Sequence, residues 1–137
     1  MRRSDGASEW HAEETYKGLV QISLSALRFA VFSNGGAAVA LLAFLGGVGT
    51  ASLPLNSAKA AMAMFVVGVG LGGFAHITAY LTQLRLYGES ALGDPQKGLF
   101  RHNIFLWVTL VLVAASVGLF LAGAWCGVSG FQASGPN

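Results

Sequence analysis

The sequence has few charged residues, one cysteine and three prolines, and the shortage of charge is the most informative of these features. Asp, Glu, Lys and Arg make up 10% of the 137 residues, apolar residues make up 54%, and the mean hydropathy is +0.61. A typical soluble domain carries about 25% charged residues. The composition therefore indicates a chain that folds mainly in lipid rather than in water.

The sequence lacks the motifs that are typical of several classes of protein. Cys126 has no second cysteine with which to form an internal disulfide or a metal framework. There is no Walker or metalloprotease pattern, and no Ser, His and acid at the spacing of a hydrolase motif. The net charge is +2, but the basic residues form no patch, because acidic residues balance them near the N-terminus. We therefore expect no enzymatic activity, no catalytic residue, no metal, no cofactor and no nucleic-acid partner.

The eight basic and six acidic residues leave three long stretches without charge, 29–58, 60–84 and 102–137. Each is longer than the about 20 residues with which a helix crosses a hydrocarbon core about 30 Å thick. The sequence therefore predicts an all-α integral membrane protein, with a three-span membrane domain over 29–128. The predicted transmembrane helices cover about 29–49, 58–83 and 104–128. Residues 129–137 are rich in Gly and Ser and are predicted to form a flexible C-terminal tail.

Residues 1–28 show the periodicity of an amphipathic helix. Its polar face carries Glu14, Lys17, Gln21, Ser25 and Arg28. Its apolar face is predicted to be a partner-binding arm that consists of Tyr16, Val20, Leu24 and Leu27. We expect a partner helix there, because a helix that lies on lipid is usually richer in Lys and Arg on its polar face. Since Gly18 is the only Gly or Pro between residues 8 and 34, the arm and the first span are predicted to form one helix of about forty residues.

Lys and Arg in the segments that flank the spans predict the orientation of the chain. Four of them precede the first span and three lie in the second loop, whereas the first loop holds only Lys59 and the tail holds none. The positive-inside rule then places the N-terminus and the second loop in the cytoplasm and the C-terminus outside. Trp107 and Trp125, about 27 Å apart along a helix, suit the two interfaces of the bilayer. We expect a multi-pass protein of the bacterial inner membrane.

Glycine and alanine recur at helical spacing within the predicted spans. The predicted helix-packing residues are Gly36, Ala40, Ala43 and Gly47 in the first span, Gly68, Gly72, Ala75 and Ala79 in the second, and Ala114, Gly118 and Ala122 in the third. Small residues let helix backbones approach closely, which is a principal means of association between helices in lipid. We expect the first two series to face each other in an antiparallel hairpin. The third series is expected to dock on that hairpin or on another subunit.

The run from Gly68 to Gly73 also matches the G-x-G-x-x-G pattern of dinucleotide-binding turns. That pattern has its meaning only between a strand and the head of a helix that is exposed to a soluble ligand. Because the run falls in the middle of a predicted span, we interpret it as helix packing.

Two polar side chains at predicted membrane depth, Asn34 and His76, are candidate functional residues. Burial of such groups in lipid is costly, and a functional role is the default hypothesis for that reason. Asn34 is predicted to hydrogen-bond a partner helix. His76 could respond to protons or bind a metal, but it has no neighbouring ligand, so a hydrogen-bonded packing role is favoured. Thr78, Thr109 and Ser116 can bond to carbonyl groups of their own helices and need no further role.

Three functions are compatible with these features. The favoured one is a small non-enzymatic structural or accessory subunit, which packs with larger membrane partners or with copies of itself. The alternative is a homo-oligomeric pore or membrane-perturbing effector with Asn34, His76 or Thr78 facing a channel. In length and number of spans the chain resembles some phage holins, which have the opposite orientation and a basic C-terminal tail. The third is a haem-associated or other small-ligand membrane subunit that uses His76, for which no second axial ligand is visible.

Overall fold

Every residue that the computed structural model describes is helical, and the described residues are 3–47, 55–92 and 99–133. The helices are α1 (Arg3–Gly47), α2 (Leu55–Leu92) and α3 (Leu99–Ala133). Each contains a segment that is long and apolar enough to cross a membrane, and these segments are Glu13–Gly47, Leu55–Leu86 and Ile104–Gly130. The prediction of an all-α chain with three long apolar helices is therefore confirmed for this part of the chain. Residues 48–54 and 93–98, which connect the helices, lie outside the described residues.

Helix α1 runs without a break through the boundary between the predicted arm and the predicted first span, and it is 45 residues long. The prediction of a single long helix is confirmed. The Ser23 and Ser25 hydroxyls donate hydrogen bonds to carbonyl oxygens one turn earlier in the same helix, at 2.8 and 2.9 Å. Because the preceding turn satisfies these hydroxyls, they do not interrupt the helix. The apolar segment of α1 begins at Glu13, well before the predicted start at residue 29.

Helix α3 is longer than predicted at both ends, since it begins at Leu99 and continues to Ala133. Residues 129–133, which were expected to belong to a flexible tail, are therefore helical. The Ser129 hydroxyl donates to the Trp125 carbonyl oxygen at 2.9 Å, so this serine is accommodated inside the helix. Residues 134–137 of the predicted tail lie outside the described residues.

Helices α2 and α3 pack against each other in antiparallel orientation over most of their length, and α1 makes a smaller contact with both. Four pairs of residues mark the register of α2 on α3: Ser57 with Cys126, Phe65 with Phe120, Thr78 with Thr109, and Arg85 with Phe105. Helix α1 is antiparallel to α2, because Asn34 lies beside Gly68 whereas Tyr16 bonds to Gln83. The middle of α1 is where all three helices meet.

The core is made mostly of small side chains. The buried apolar residues are Leu27, Ala30, Ala58, Ala61, Phe65 and Ala75, and the buried polar residues are Asn34, Thr82 and Ser116. Many large apolar side chains lie on the outside, among them Phe32 and Trp125, which are 74% and 77% exposed. Exposed apolar surface is unfavourable in water and marks contact with a membrane or another protein.

Candidate functional site

Three residues from three different helices meet at the centre of the bundle, and we call this group the Asn34 junction. It consists of Asn34 of α1, Gly68 of α2 and Ser116 of α3. Asn34 and Ser116 are 0% exposed, and they are the largest fully buried side chains among the described residues. The largest fully buried side chains in the described part of this apolar bundle therefore carry an amide and a hydroxyl.

The side-chain nitrogen of Asn34 is the donor that joins α1 to α3. Nδ2 lies 2.9 Å from the Ala30 carbonyl oxygen in its own helix, 3.0 Å from the Ser116 carbonyl oxygen and 3.2 Å from Ser116 Oγ. Ser116 Oγ in turn donates to the Gly68 carbonyl oxygen of α2 at 2.7 Å. One continuous set of hydrogen bonds therefore connects all three helices, and the prediction that Asn34 bonds to a partner helix is met within the chain itself.

The side-chain oxygen of Asn34 is the one buried side-chain polar atom, among the described residues, that has no hydrogen-bond partner. It lies against Gly68, on the side where a Cβ would stand in any other residue. A Cβ built there would come within 2.5 Å of Asn34 Cγ and 2.8 Å of Nδ2. Only glycine at position 68 leaves room for the amide.

Gly72, one turn further along α2, makes a second close contact with α1. A Cβ at this position would lie 2.8 Å from a methyl carbon of Val31 and 3.6 Å from Ser116 Oγ. Such a contact is shorter than two carbon atoms tolerate, because their optimal separation is about 3.5–4.0 Å. Gly68 and Gly72 together therefore set the distance at which α1 lies on α2.

Towards the C-terminal end of α2, two threonines bridge the helices. Thr78 Oγ1 and Thr109 Oγ1 are 2.8 Å apart, and each hydroxyl is also within hydrogen-bonding distance of a carbonyl oxygen of its own helix. Thr78 and Thr109 bond to carbonyl groups of their own helices as expected, but they also contact each other, and the Ser116 hydroxyl donates to the Gly68 carbonyl oxygen of α2. Their hydroxyls can reach a neighbouring helix because small residues bring the backbones close together.

His76 forms a hydrogen bond within α2 and is partly buried. Its Nδ1 lies 2.9 Å from the Gly72 carbonyl oxygen. Because a carbonyl oxygen only accepts, Nδ1 carries the proton in this arrangement. Among the described residues, no group of three or more His, Cys, Asp or Glu could hold a metal ion. His76 therefore bonds to the backbone of its own helix, one turn earlier.

In the N-terminal half of α2, the interface with α3 contains the buried ring of Phe65. Phe65 is 5% exposed, and its ring lies over Gly123 with its centroid 6.1 Å from that of Phe120. A Cβ at position 123 would come within 2.7 Å of the Phe65 ring. Gly123 therefore provides the space that the ring of Phe65 fills.

Helices α1 and α2 are antiparallel as predicted, but the predicted facing of their small-residue series is wrong, because only the α2 series lies in the interface. Gly68, Gly72 and Ala75 of α2 are buried, and Ala79 is half-buried. In contrast, all four residues of the α1 series are exposed, namely Gly36, Ala40, Ala43 and Gly47. A Cβ at Gly36 or Gly47 would meet nothing within 4 Å. The face of α1 that contacts the other helices instead carries Leu27, Ala30, Val31 and Asn34.

The small-residue series predicted on α3 is also turned outward. Ala114, Gly118 and Ala122 are exposed, and a Cβ at Gly118 would meet nothing within 4 Å. The face of α3 that packs on α2 carries Ser116, Gly123 and Gly127, which are seven and four residues apart. This spacing also follows one face of a helix and could have been found, but the sequence offers two such series on α3.

The predicted partner-binding arm lies partly against its own bundle. Leu27 is 6% exposed, and the Tyr16 hydroxyl donates to Gln83 Oε1 of α2 at 3.2 Å. Val20 and Leu24 remain exposed. Leu19 and Ile22, outside the predicted apolar face, are exposed as well. Apolar surface therefore extends around more of this part of α1 than the predicted amphipathic pattern implies.

The arrangement of the Asn34 junction is suited to joining helices. Its amide and hydroxyl are fully buried and are bonded mainly to backbone carbonyl groups, so no substrate reaches them. The protein is therefore a bundle of three helices, each of which has a segment long and apolar enough to cross a membrane. The Asn34 junction joins the three helices at the centre of the bundle. Comparison with known protein families, with curated proteins and with solved structures gives no match for this chain.

Proposed function

We propose that the chain is a multi-pass protein of the bacterial inner membrane, with the N-terminus and the second loop in the cytoplasm and the C-terminus outside. Three long apolar helices and the large apolar side chains on their outer surfaces support insertion in lipid. The distribution of Lys and Arg supports the orientation.

The orientation can be tested with single cysteines in a Cys126→Ala background. Lys17→Cys and Gln132→Cys both replace exposed residues on opposite sides of the proposed bilayer. In intact cells, a membrane-impermeant maleimide is expected to label position 132 and to leave position 17 unlabelled until the cells are opened. Labelling of position 17 in intact cells contradicts the orientation.

We propose further that the protein is a small non-enzymatic structural or accessory subunit, which packs with larger membrane partners or with copies of itself. The observation that carries this proposal is the exposed small-residue face of α1, which consists of Gly36, Ala40, Ala43 and Gly47. Among the described residues, a Cβ at Gly36 or Gly47 of this face would meet nothing within 4 Å, and such a face is well suited to close contact with another helix in lipid.

The alternative, a homo-oligomeric pore, has less support from the contacts. Asn34 is fully buried inside one chain, and the Thr78 hydroxyl is paired with that of Thr109. Neither group is free to line a channel between copies. Leakage of a dye from liposomes that contain the purified protein would favour the pore.

The accessory-subunit proposal is tested by enlarging one residue of the exposed face. Gly36→Leu is expected to reduce the mass of the assembly isolated in mild detergent, while the helical content of the chain stays unchanged. Gly46→Leu is the matched control, because a Cβ there also meets nothing within 4 Å but lies on a different side of α1. An assembly that keeps its mass in both variants contradicts the use of this face.

A further inference from the structure

An open cleft separates the C-terminal part of α1 from the N-terminal part of α2, and we call it the outer cleft. Its volume is about 520 Å³, within the range of about 300–1,000 Å³ that is typical of ligand pockets. The apolar lining consists of Leu42, Leu45, Leu55, Ala58, Met62, Ala63 and Val66. Leu42 and Val66 are 59% and 57% exposed, so the cleft is open to the surroundings.

Lys59 is the one charged residue in the lining of the outer cleft, and its side chain is exposed. Within the described part of the chain, the ion pairs are those of Lys17 with Glu13 and Glu14, and Lys59 has none. The sequence has no Asp or Glu between residues 15 and 88 or after residue 94. No acidic side chain near this end of the bundle therefore neutralises the Lys59 ammonium.

The ammonium and the apolar lining are arranged along one face of α2. Lys59, Met62, Ala63 and Val66 follow the i, i+3, i+4, i+7 spacing of a single helix face. From Lys59 to Val66 this face extends about 10 Å at about 1.5 Å per residue. One half of a bilayer's hydrocarbon core is about 15 Å thick. Lys59 therefore places a positive group at one end of an apolar helix face. This arrangement matches a lipid phosphate that is followed by an acyl chain.

We propose that the outer cleft binds an anionic phospholipid, with its phosphate on the Lys59 ammonium and one acyl chain along Met62, Ala63 and Val66. The proposal rests on the membrane-spanning arrangement proposed above. A phosphate and an ammonium form a charge-assisted hydrogen bond, which is stronger than a neutral one. A headgroup of net negative charge neutralises Lys59, whereas a zwitterionic headgroup brings a second cation.

A second copy of the chain fits the outer cleft less well. In a symmetric contact each surface meets the same surface of the other copy. Two Lys59 side chains would then approach each other, and no acidic side chain from this end of either chain could compensate for their repulsion. Charge complementarity therefore favours the lipid.

The test uses the full-length chain in nanodiscs of phosphatidylcholine that contain a photoactivatable phosphatidylglycerol with its reactive group in the acyl chain. Irradiation and peptide mapping are expected to place the label on residues 55–66 of the wild-type chain. Lys59→Gln is expected to reduce this labelling about tenfold, the loss typical of one charge-assisted hydrogen bond. Ala63→Phe, which fills the cleft from an exposed position, is expected to reduce it as well.

The matched controls alter a cation and an alanine elsewhere. Arg85→Gln removes an exposed guanidinium at the other end of α2, and Ala114→Phe enlarges an exposed alanine on α3. Both are expected to keep wild-type labelling of residues 55–66. Unchanged labelling in Lys59→Gln, equal labelling by a photoactivatable phosphatidylcholine, or covalent linkage of two chains through the cleft overturns the proposal.

Alkaline extraction of membranes separates this inference from the proposed function. A chain that carbonate releases from the membrane contradicts the membrane arrangement. A chain that stays in the membrane but shows no label at residues 55–66 contradicts only the lipid site.

Discussion

The side-chain amide of Asn34 occupies the space in which any residue other than glycine at position 68 would carry its Cβ. Asn34 and Gly68 therefore depend on each other, although they are on different helices. The amide also accounts for the position of Ser116, since Nδ2 bonds to both oxygens of that residue. The stability of the bundle should be sensitive to small changes at this one place.

The first prediction concerns Gly68→Ala. The added Cβ overlaps the Asn34 amide, so we expect the free energy of unfolding to fall by about 1–3 kcal/mol, the usual cost of overpacking. Unfolding by sodium dodecyl sulfate from a mild detergent, followed by circular dichroism, measures the change. Gly70→Ala is the matched control, because a Cβ there meets nothing within 4 Å. Equal stability of the two variants would contradict the close contact.

The second prediction is that Asn34→Ala partly rescues Gly68→Ala. Alanine at position 34 removes the amide with which the new Cβ collides, so the two changes should not be additive. Residues in direct contact commonly show coupling energies of about 0.5–3 kcal/mol. A double-mutant cycle on the free energy of unfolding measures this coupling, and a value near zero would mean that the two residues do not touch.

The third prediction concerns the hydroxyl of Ser116. Ser116→Ala removes the donor to the Gly68 carbonyl oxygen and one acceptor of Asn34 Nδ2. We expect a loss of about 0.6 kcal/mol and at most about 1.7 kcal/mol, the average and the maximum for hydrogen bonds between the helices of a membrane protein. Ser129→Ala in the same helix is the control, because that hydroxyl bonds only to carbonyl groups of α3. A loss at position 129 as large as that at position 116 would show that the bond to α2 contributes nothing.

The fourth prediction concerns the contact between Phe65 of α2 and Gly123 of α3. Gly123→Ala places a Cβ 2.7 Å from the Phe65 ring, so the ring must move and the free energy of unfolding should fall by about 1–3 kcal/mol. Phe65→Leu in the same chain should recover part of this loss, because leucine leaves more space. Gly118→Ala, where the Cβ meets nothing within 4 Å, should leave stability almost unchanged. Thermal unfolding in detergent compares the three variants.

Much of the fold could be predicted because hydrophobic length is a strong signal. A helix needs about 20 apolar residues to cross a bilayer, and three charge-free stretches of that length are plain in the sequence. The single long α1 was also predictable, since no proline interrupts it. The extension of α3 to Ala133 was missed because Gly and Ser in residues 129–133 were interpreted as a tail. The low helix propensity of Gly and Ser is only a weak determinant of structure, so an established helix can continue through these residues.

The faces on which the helices meet could not be predicted from small residues alone. Helices α1 and α3 each carry an exposed series of small residues in addition to the face that packs on the other helices. The exposed series and the packed face both follow the period of a helix, so the period does not distinguish them. The choice between them depends on polar contacts between residues far apart in sequence, such as Asn34 and Ser116. Asn34 was recognisable as a polar residue at membrane depth, but its partners depend on the register of α1 against α3. Periodicity within one helix does not determine that register.

The Asn34 junction has a consequence for the order in which the protein is made. Two of the three hydrogen-bond acceptors of the Asn34 amide belong to Ser116, and Ser116 also bonds to Gly68. A nascent chain that has emerged only as far as α2 therefore holds an amide and a glycine carbonyl that still lack their partner from α3. These hydrogen bonds join all three helices only when the last third of the polypeptide has been translated, so we expect products truncated before α3 to be less stable than the full chain.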